Sequence, residues 1–243
     1  MHRLLVDSGI LAEVFPVLPD AARRHLRIVR PEDGETIELF DGHGAWREYS
    51  WTGERLCASG GIRLMPCIGR RGLVLFACIT KGSRWDWTVE KATELGATRI
   101  VPVISDRTIV RIAPQDRAAK RDRWMRVAED AARQSDTKWL PEVCEPVDFK
   151  NALAMVAECE CYVGALVAPR PKDVLSALAS ASHDRTRPIA MFVGPEGDFT
   201  PDELSALLAV ATPVSFGPTI LRAETAAIYG LGVIKAFLDS ESA

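Results

Sequence analysis

Two short stretches carry residues whose types and spacing suit chemistry. The first is GPEGDFTPDEL, Gly194–Leu204. Its second half needs only a structural account. Thr200 can cap a helix, Pro201 suits the first helical position, and Glu203 completes a capping box. Gly194, Pro195, Glu196 and Gly197 precede that cap and are not required by it. They fit an ordinary glycine-rich turn, and equally a turn whose exposed N–H and C=O groups lie close to a flat ligand. The second stretch is PTILRAETAAIYGLGVIKAF, Pro218–Phe237, in which the loop Thr219–Thr225 carries Arg222 and Glu224 beside Leu221. A charged pair at a strand end is often a surface salt bridge worth little. Two such loops on neighbouring strands make a site more probable than either does alone.

The elements that must position these residues fall into two textures. Residues 1–70 read as β-rich, with runs such as Arg3–Val6 and Thr36–Phe40 separated by turn signals at Asp41-Gly42 and Gly44. One helix is expected at Pro19–Arg27, and a small barrel-like domain fits. PCIGRRG, Pro66–Gly72, has the composition of a linker. Residues 71–243 then alternate strand and helix. Strands are expected at Leu73–Ile79, Arg99–Ile104, Cys161–Val167, Pro188–Val193 and Pro213–Gly217, and Pro102 suggests an edge position for the second. Helices are expected at Trp85–Leu95 with Gly96 at its end, at Gln115–Ser135, at Lys172–Ala181 and after Thr225. In the last of these, Ala226, Gly230, Val233 and Phe237 share a face. The fold class is therefore α/β, a mainly parallel sheet covered by helices, behind a smaller β domain. The stretch from Gly194 falls at a strand's carboxyl end, where open α/β sheets bind ligands.

Several classes are disfavoured. The net charge of −3 argues against a purely electrostatic nucleic-acid binder, so any such role rests on local patches such as Arg117–Arg126. No apolar run nears the ~20 residues of a membrane span. MHRLLVDSGI lacks the apolar stretch of a secretory signal, and a cytoplasmic location is expected. Cys57, Cys67, Cys78, Cys144, Cys159 and Cys161 form no C-x-x-C pair, so they read as small buried apolar groups and no metal site is expected. There is no G-x-G-x-x-G, no G-x-S-x-G and no H-E-x-x-H, and TKGS at Thr80–Ser83 lacks P-loop spacing.

Four segments in order, KGSRWDWTVEKATELGATRIVPVISDRT (Lys81–Thr108), RQSDTKWLPEV (Arg133–Val143), VGPEGDFTPDEL (Val193–Leu204) and FGPTILRAETAA (Phe216–Ala227), resemble bacterial 16S ribosomal RNA uridine-N3 methyltransferases of the RsmE type. MHRLLVD and HLRIVRPEDGETIELFDGHG (His25–Gly44) resemble that family's N-terminal domain, so the likeness covers nearly the whole chain. It implies a SPOUT-type trefoil-knotted α/β domain at 71–243 and a PUA-like β-barrel at 1–70 that helps hold RNA. It also implies S-adenosylmethionine as cofactor, a homodimer, and 16S rRNA or the small ribosomal subunit as partner.

The resemblance places Val193, Gly194, Glu196, Gly197, Leu221 and Ala226 in the cofactor pocket. Pro195, Phe216, Gly217 and Thr225 belong to the same segments, and Gly164 and Ala165 are further candidates. Transfer of a methyl group to uracil N3 requires that nitrogen to lose its proton and the charge spread over O2, N3 and O4 to be stabilised. Arg222 suits the second task. Glu224 suits either orienting Arg222 or taking the proton. Arg23, Arg24, Arg27 and Arg30, the cluster containing Arg117 and Arg121, and Lys138 are candidates for RNA contact. Two positions depart from the family pattern: Asp198 stands where a second glycine is common, and Asp136-Thr137-Lys138 where an arginine is common. Two other readings stay open, a SPOUT enzyme acting on a different RNA nucleotide and a non-catalytic RNA-binding protein that retains the fold.

Overall fold

The computed structural model describes residues 2–66, 71–184 and 186–242. The expected linker falls largely on residues 67–70, Cys67 among them, which lie outside the described residues. Its last two positions are not linker. Arg71 is buried and bonded to Glu160, and a Cβ on Gly72 would meet Thr98 Oγ1 at 2.8 Å. The chain forms two compact units: Met1–Cys67 with Ala132–Leu140, and Ile68–Ala131 with Pro141–Ala243.

The first unit contains β1 (His2–Leu5), α1 (Asp20–Val29), β2 (Thr36–Phe40), β3 (Ala45–Trp51), β4 (Leu56–Ala58) and β5 (Arg63–Leu64). The strands form one sheet in the order β1-β2-β3-β4, with β5 beside β3. β1 runs parallel to β2 and the other pairs are antiparallel. α1 turns Ala22 and Leu26 into a core shared with Leu4, Leu11, Ile37, Leu39 and Tyr49, and leaves its arginines outside.

The returning segment Ala132–Leu140 was not legible as part of this unit. Trp139 donates from Nε1 to Met65 O at 3.1 Å, and its ring lies so close to Gly44 that a Cβ there would sit 2.5 Å from it. Gly44 also holds φ +95°, a conformation that only glycine adopts at low cost. Lys138, expected to contact RNA, is only 2% exposed. Its ammonium bonds the equally buried Glu38 and also the exposed Asp136, and sits 5.2 Å from the Trp46 ring centroid. That expectation is corrected: a cation paired in the interior cannot reach a phosphate. Asp136, the acid where an arginine is common, holds φ +64° and also pairs with Arg3 at 2.9 Å.

The second unit runs β6 (Leu73–Cys78), α2 (Ser83–Glu94), β7 (Arg99–Ile104), α3 (Arg117–Ser135, whose last four residues are counted with the first unit), β8 (Glu142–Val143), β9 (Val147–Asp148), α4 (Phe149–Val156), β10 (Glu160–Gly164), α5 (Val174–Ser180), β11 (Ile189–Val193), α6 (Pro201–Leu208), β12 (Thr212–Val214) and α7 (Ala223–Ser242). All its strands are parallel, in the order β12-β10-β11-β6-β7-β8, with β9 also against β7. β6 is buried on both faces, as its unbroken apolar run requires. Leu73, Leu75 and Ala77 face a core with Trp85, Trp124 and the buried side of α7, while Val74, Phe76 and Cys78 face one with Phe192, Phe199 and Leu207.

β7 is not an edge strand despite Pro102. Thr98 O and Ile100 O accept from Glu142 and Cys144, so the even-numbered residues of β7 point their backbone groups toward β8 and β9. Pro102 lies between the two short partners, whose registers cover Arg99–Ile100 and Val103–Ile104, so its missing N–H costs no ladder bond.

Candidate active site

β11 and β12 lie on opposite sides of β10, so the chain leaves β10 in one direction and returns past it in the other. That reversal opens a crevice above the carboxyl ends of the strands. Three loops close over it: residues 165–172 after β10, 194–200 after β11, and 215–222 after β12. They enclose a cavity of about 490 Å³, within the range of small-molecule sites.

The structure brings most of the expected residues together there. Gly164, Ala165, Val193, Gly194, Pro195, Glu196, Phe216, Gly217, Leu221, Arg222 and Ala226 line the cavity. Gly197, Glu224 and Thr225 do not. The Gly197 carbonyl is occupied by Arg107 Nη1 at 2.9 Å, and Thr225 is exposed on the first turn of α7, which begins at Ala223 rather than after Thr225. Leu166, Val167, Arg170, Pro171, Ser215, Thr219 and Ile220 also line it and were not foreseen. The strand expected to reach Val167 ends at Gly164, which frees a proline-bearing loop. Arg170 ties that loop to the third one by donating to Gly217 O, and Ser215 N donates to Lys172 O at 2.9 Å.

The glycines have specific reasons. A Cβ on Gly164 would stand 2.2 Å from the Phe216 ring, so glycine lets that ring form the cavity wall. Phe216 is held edge-on by Tyr229, with ring centroids 5.9 Å apart. A Cβ on Gly194 would meet the buried Phe199 ring at 2.9 Å. The close approach at Gly194 is thus to the protein's own core, not only to a ligand. Asp198 holds φ +59°, which explains why glycine suits this position. Here an aspartate tolerates it, its Oδ1 accepting the Phe199 N–H at 2.8 Å while its own N–H donates to Pro195 O at 2.9 Å. The capping box is present, and the Glu203 carboxylate also accepts the Asp106 N–H at 2.9 Å.

The charged groups separate into two kinds. Arg222 lines the cavity, is exposed, and makes no ion pair among the described residues. Glu224 does not orient it. The Glu224 side chain is 12% exposed, and its Oε1 lies 3.9 Å from Arg84 Nε. Its Oε2 is buried with no hydrogen-bond partner. Arg84 Nη1 also reaches Glu196 Oε1 at 3.5 Å.

Arg23, Arg24, Arg27 and Arg30 are all exposed in the first unit. Arg23, Arg27 and Arg30 lie on one face of α1 and its end, lining a groove with an apolar floor of Leu18, Leu26 and Leu56. Arg117 and Arg121 belong to the second unit, where Arg117 pairs with Asp148 at 2.6 Å and Arg121 with Asp122 at 2.6 Å.

Residues 70–235 match the RNA methyltransferase domain family, a span containing all three loops. Over 98% of its length the chain is 31% identical to the ribosomal RNA small subunit methyltransferase E of Synechocystis sp., covering 78% of that protein. The chain belongs to this family. A methyltransferase E from Bacillus subtilis is 30% identical over 47% of this chain and 46% of its own length. The crystal structure of a methyltransferase E from Neisseria gonorrhoeae bound to S-adenosyl methionine superposes with a TM-score of 0.83, at 28% identity over 98% of each chain.

Proposed function

We propose that this methyltransferase uses S-adenosylmethionine to methylate N3 of a uridine in 16S rRNA of the small ribosomal subunit. The observation that carries the reading is the cavity over β10, closed by three loops and bordered by Arg222, which has no ion pair among the described residues. Its residues fit the cofactor. Leu221, Phe216 and Val193 offer apolar surface for a purine, and Glu196 and Asp198 offer negative charge near a cationic ligand. When bound, S-adenosylmethionine supplies a methyl group on a positively charged sulfur. The protein's task is then to hold the target uracil in line with it. Arg222 stabilises the negative charge on the deprotonated ring. Glu224 stands just outside the cavity lining, two residues past Arg222, with one buried oxygen that no protein group partners, and takes the N3 proton once the bound substrate brings that oxygen within reach.

The finer architecture belongs to the same reading. The second unit forms a trefoil knot, supported by the family membership and by the hydrogen bonds joining the loops after β10 and β12. The first unit, Met1–Cys67 with the returning segment, is a PUA-like domain, and its Arg23–Arg27–Arg30 groove tracks RNA phosphates. The enzyme works as a homodimer in the cytoplasm. Leu166 and Ile220, 71% and 81% exposed beside the cavity, are apolar surface for a second subunit or the substrate to cover.

Mass spectrometry of rRNA nucleosides from cells with and without the protein tests the reaction. N3-methyluridine is lost from small-subunit rRNA in the deletion strain, and a different missing nucleoside would reassign the substrate. Arg222→Ala lowers turnover by ~10²–10³-fold, as expected for loss of a charge-stabilising donor. Cofactor affinity by calorimetry stays within a few-fold, and wild-type turnover in this variant would remove Arg222 from the chemistry.

A further inference from the structure

We infer that Arg84 is a positioning residue for the methyl-transfer site, holding the turn 194–199 and the start of α7 in one arrangement. The inference rests on the reading of the site given above. Arg84 stands on the first turn of α2, beside Trp85, which is 2% exposed and packs edge-on against Trp124 at 5.6 Å. The backbone at Arg84 is therefore anchored through its buried neighbour, while its exposed guanidinium reaches out between two loops. One nitrogen lies 3.5 Å from Glu196, which lines the cavity, and another 3.9 Å from Glu224, two residues beyond Arg222. Among the described residues no other cation pairs with either carboxylate.

Stability alone is a poor account of this fork. The Arg84 side chain is 47% exposed, and pairs this open contribute little to folding. Its two reaches are also long. A closed guanidinium–carboxylate bond measures ~2.7–2.9 Å, so the Glu196 arm at 3.5 Å is longer by roughly 0.7 Å and the Glu224 arm at 3.9 Å by roughly 1.1 Å. Glu224 meanwhile keeps a buried oxygen without a partner, an arrangement that costs free energy unless the group serves elsewhere. A planar fork that contacts both carboxylates sets where Glu224 Oε2 and the Arg222 backbone stand relative to the cavity wall. Lysine, with a single point charge, cannot span both at once.

The test uses the full-length protein with Arg84→Ala, Arg84→Lys, Glu196→Gln and the double variant Arg84→Ala/Glu196→Gln. Amide hydrogen exchange is read first, because it does not depend on turnover. Arg84→Ala speeds exchange at both 194–199 and 219–226 and leaves the sheet strands as in wild type. Steady-state kinetics on small-subunit rRNA then show kcat lowered ~10–100-fold, the scale of a misplaced reacting group. The KM for S-adenosylmethionine stays within ~3-fold, since the fork acts on geometry rather than uniform binding. Arg84→Lys recovers part of kcat, and the double variant has a kcat no lower than that of Arg84→Ala, any loss from the cavity-lining Glu196 itself falling on the KM for S-adenosylmethionine. Unchanged exchange in either loop, strictly additive losses, or a kcat loss that tracks a fall in Tm would overturn the inference. If the wild-type protein methylates no rRNA offered, the proposed function fails, and the exchange result still decides whether Arg84 holds the two loops together.

Discussion

At the residue scale the site depends on where side chains are absent. Gly197 reads as ligand-facing from its turn and Gly164 only through the family resemblance, yet the structure separates them. Gly164 makes room for Phe216, and a Cβ there would overlap the ring at 2.2 Å. Around Gly197 a Cβ would meet only Arg107, at 3.6 Å, an ordinary contact. Gly164→Ala must therefore push Phe216 off the cavity wall, an overpacking that costs ~1–3 kcal/mol. Calorimetry is expected to show S-adenosylmethionine binding weakened by ~10-fold, whereas Gly197→Ala leaves affinity and Tm close to wild type. Equal effects of the two substitutions would contradict the assignment of the wall. Gly194 is a less useful probe, because valine there would displace Phe199 from the core, and lost binding would not separate pocket from fold.

At the element scale, periodicity made β6, α2, β10, β11 and α7 legible, and end chemistry placed the α6 capping box residue by residue. What stayed hidden has a common cause: it was fixed by partners distant in sequence. Val167 reads as strand, but β10 pairs only through Gly164, and the freed loop supplies Arg170. Pro102 reads as edge, but its position between β8 and β9 makes the missing donor harmless. Lys138 reads as an exposed base in a polar loop, and only the fold reveals Glu38, one hundred residues earlier, as its buried partner. Removing Lys138 would leave Glu38 desolvated, with Arg3 Nε 3.5 Å away as partial compensation. Lys138→Ala is accordingly expected to cost ~3 kcal/mol, the lower end of the range for breaking a buried pair. Denaturant unfolding measures this, and Lys138→Ala/Glu38→Gln recovers part of the loss. A single variant as stable as wild type would show that the pair carries no such burden.

At the scale of the whole molecule, a net charge of −3 must coexist with binding to a polyanion. The protein meets this by segregation rather than by excess. Lys138 is neutralised inside the first unit, and Arg117 and Arg121 are paired to acids in the second. Arg24, Arg27 and Arg30 are exposed without an ion pair among the described residues, and Arg27 and Arg30 line the groove beside α1. RNA affinity should then depend on a few phosphate contacts and not on the overall charge. Each contact contributes ~0.7–0.9 to the slope of log K against log salt. Arg27→Ala/Arg30→Ala is expected to flatten that slope by ~1.4–1.8 and to weaken rRNA binding without changing which nucleotide is methylated. Folded Lys138→Ala protein, assayed where it remains native, keeps the wild-type slope because its ammonium never faced solvent. A titration of rRNA binding from low to high salt compares all three. An unchanged slope in the arginine double variant would move the RNA contact away from the α1 groove, and a flattened slope in the lysine variant would mean that the buried pair opens to meet RNA.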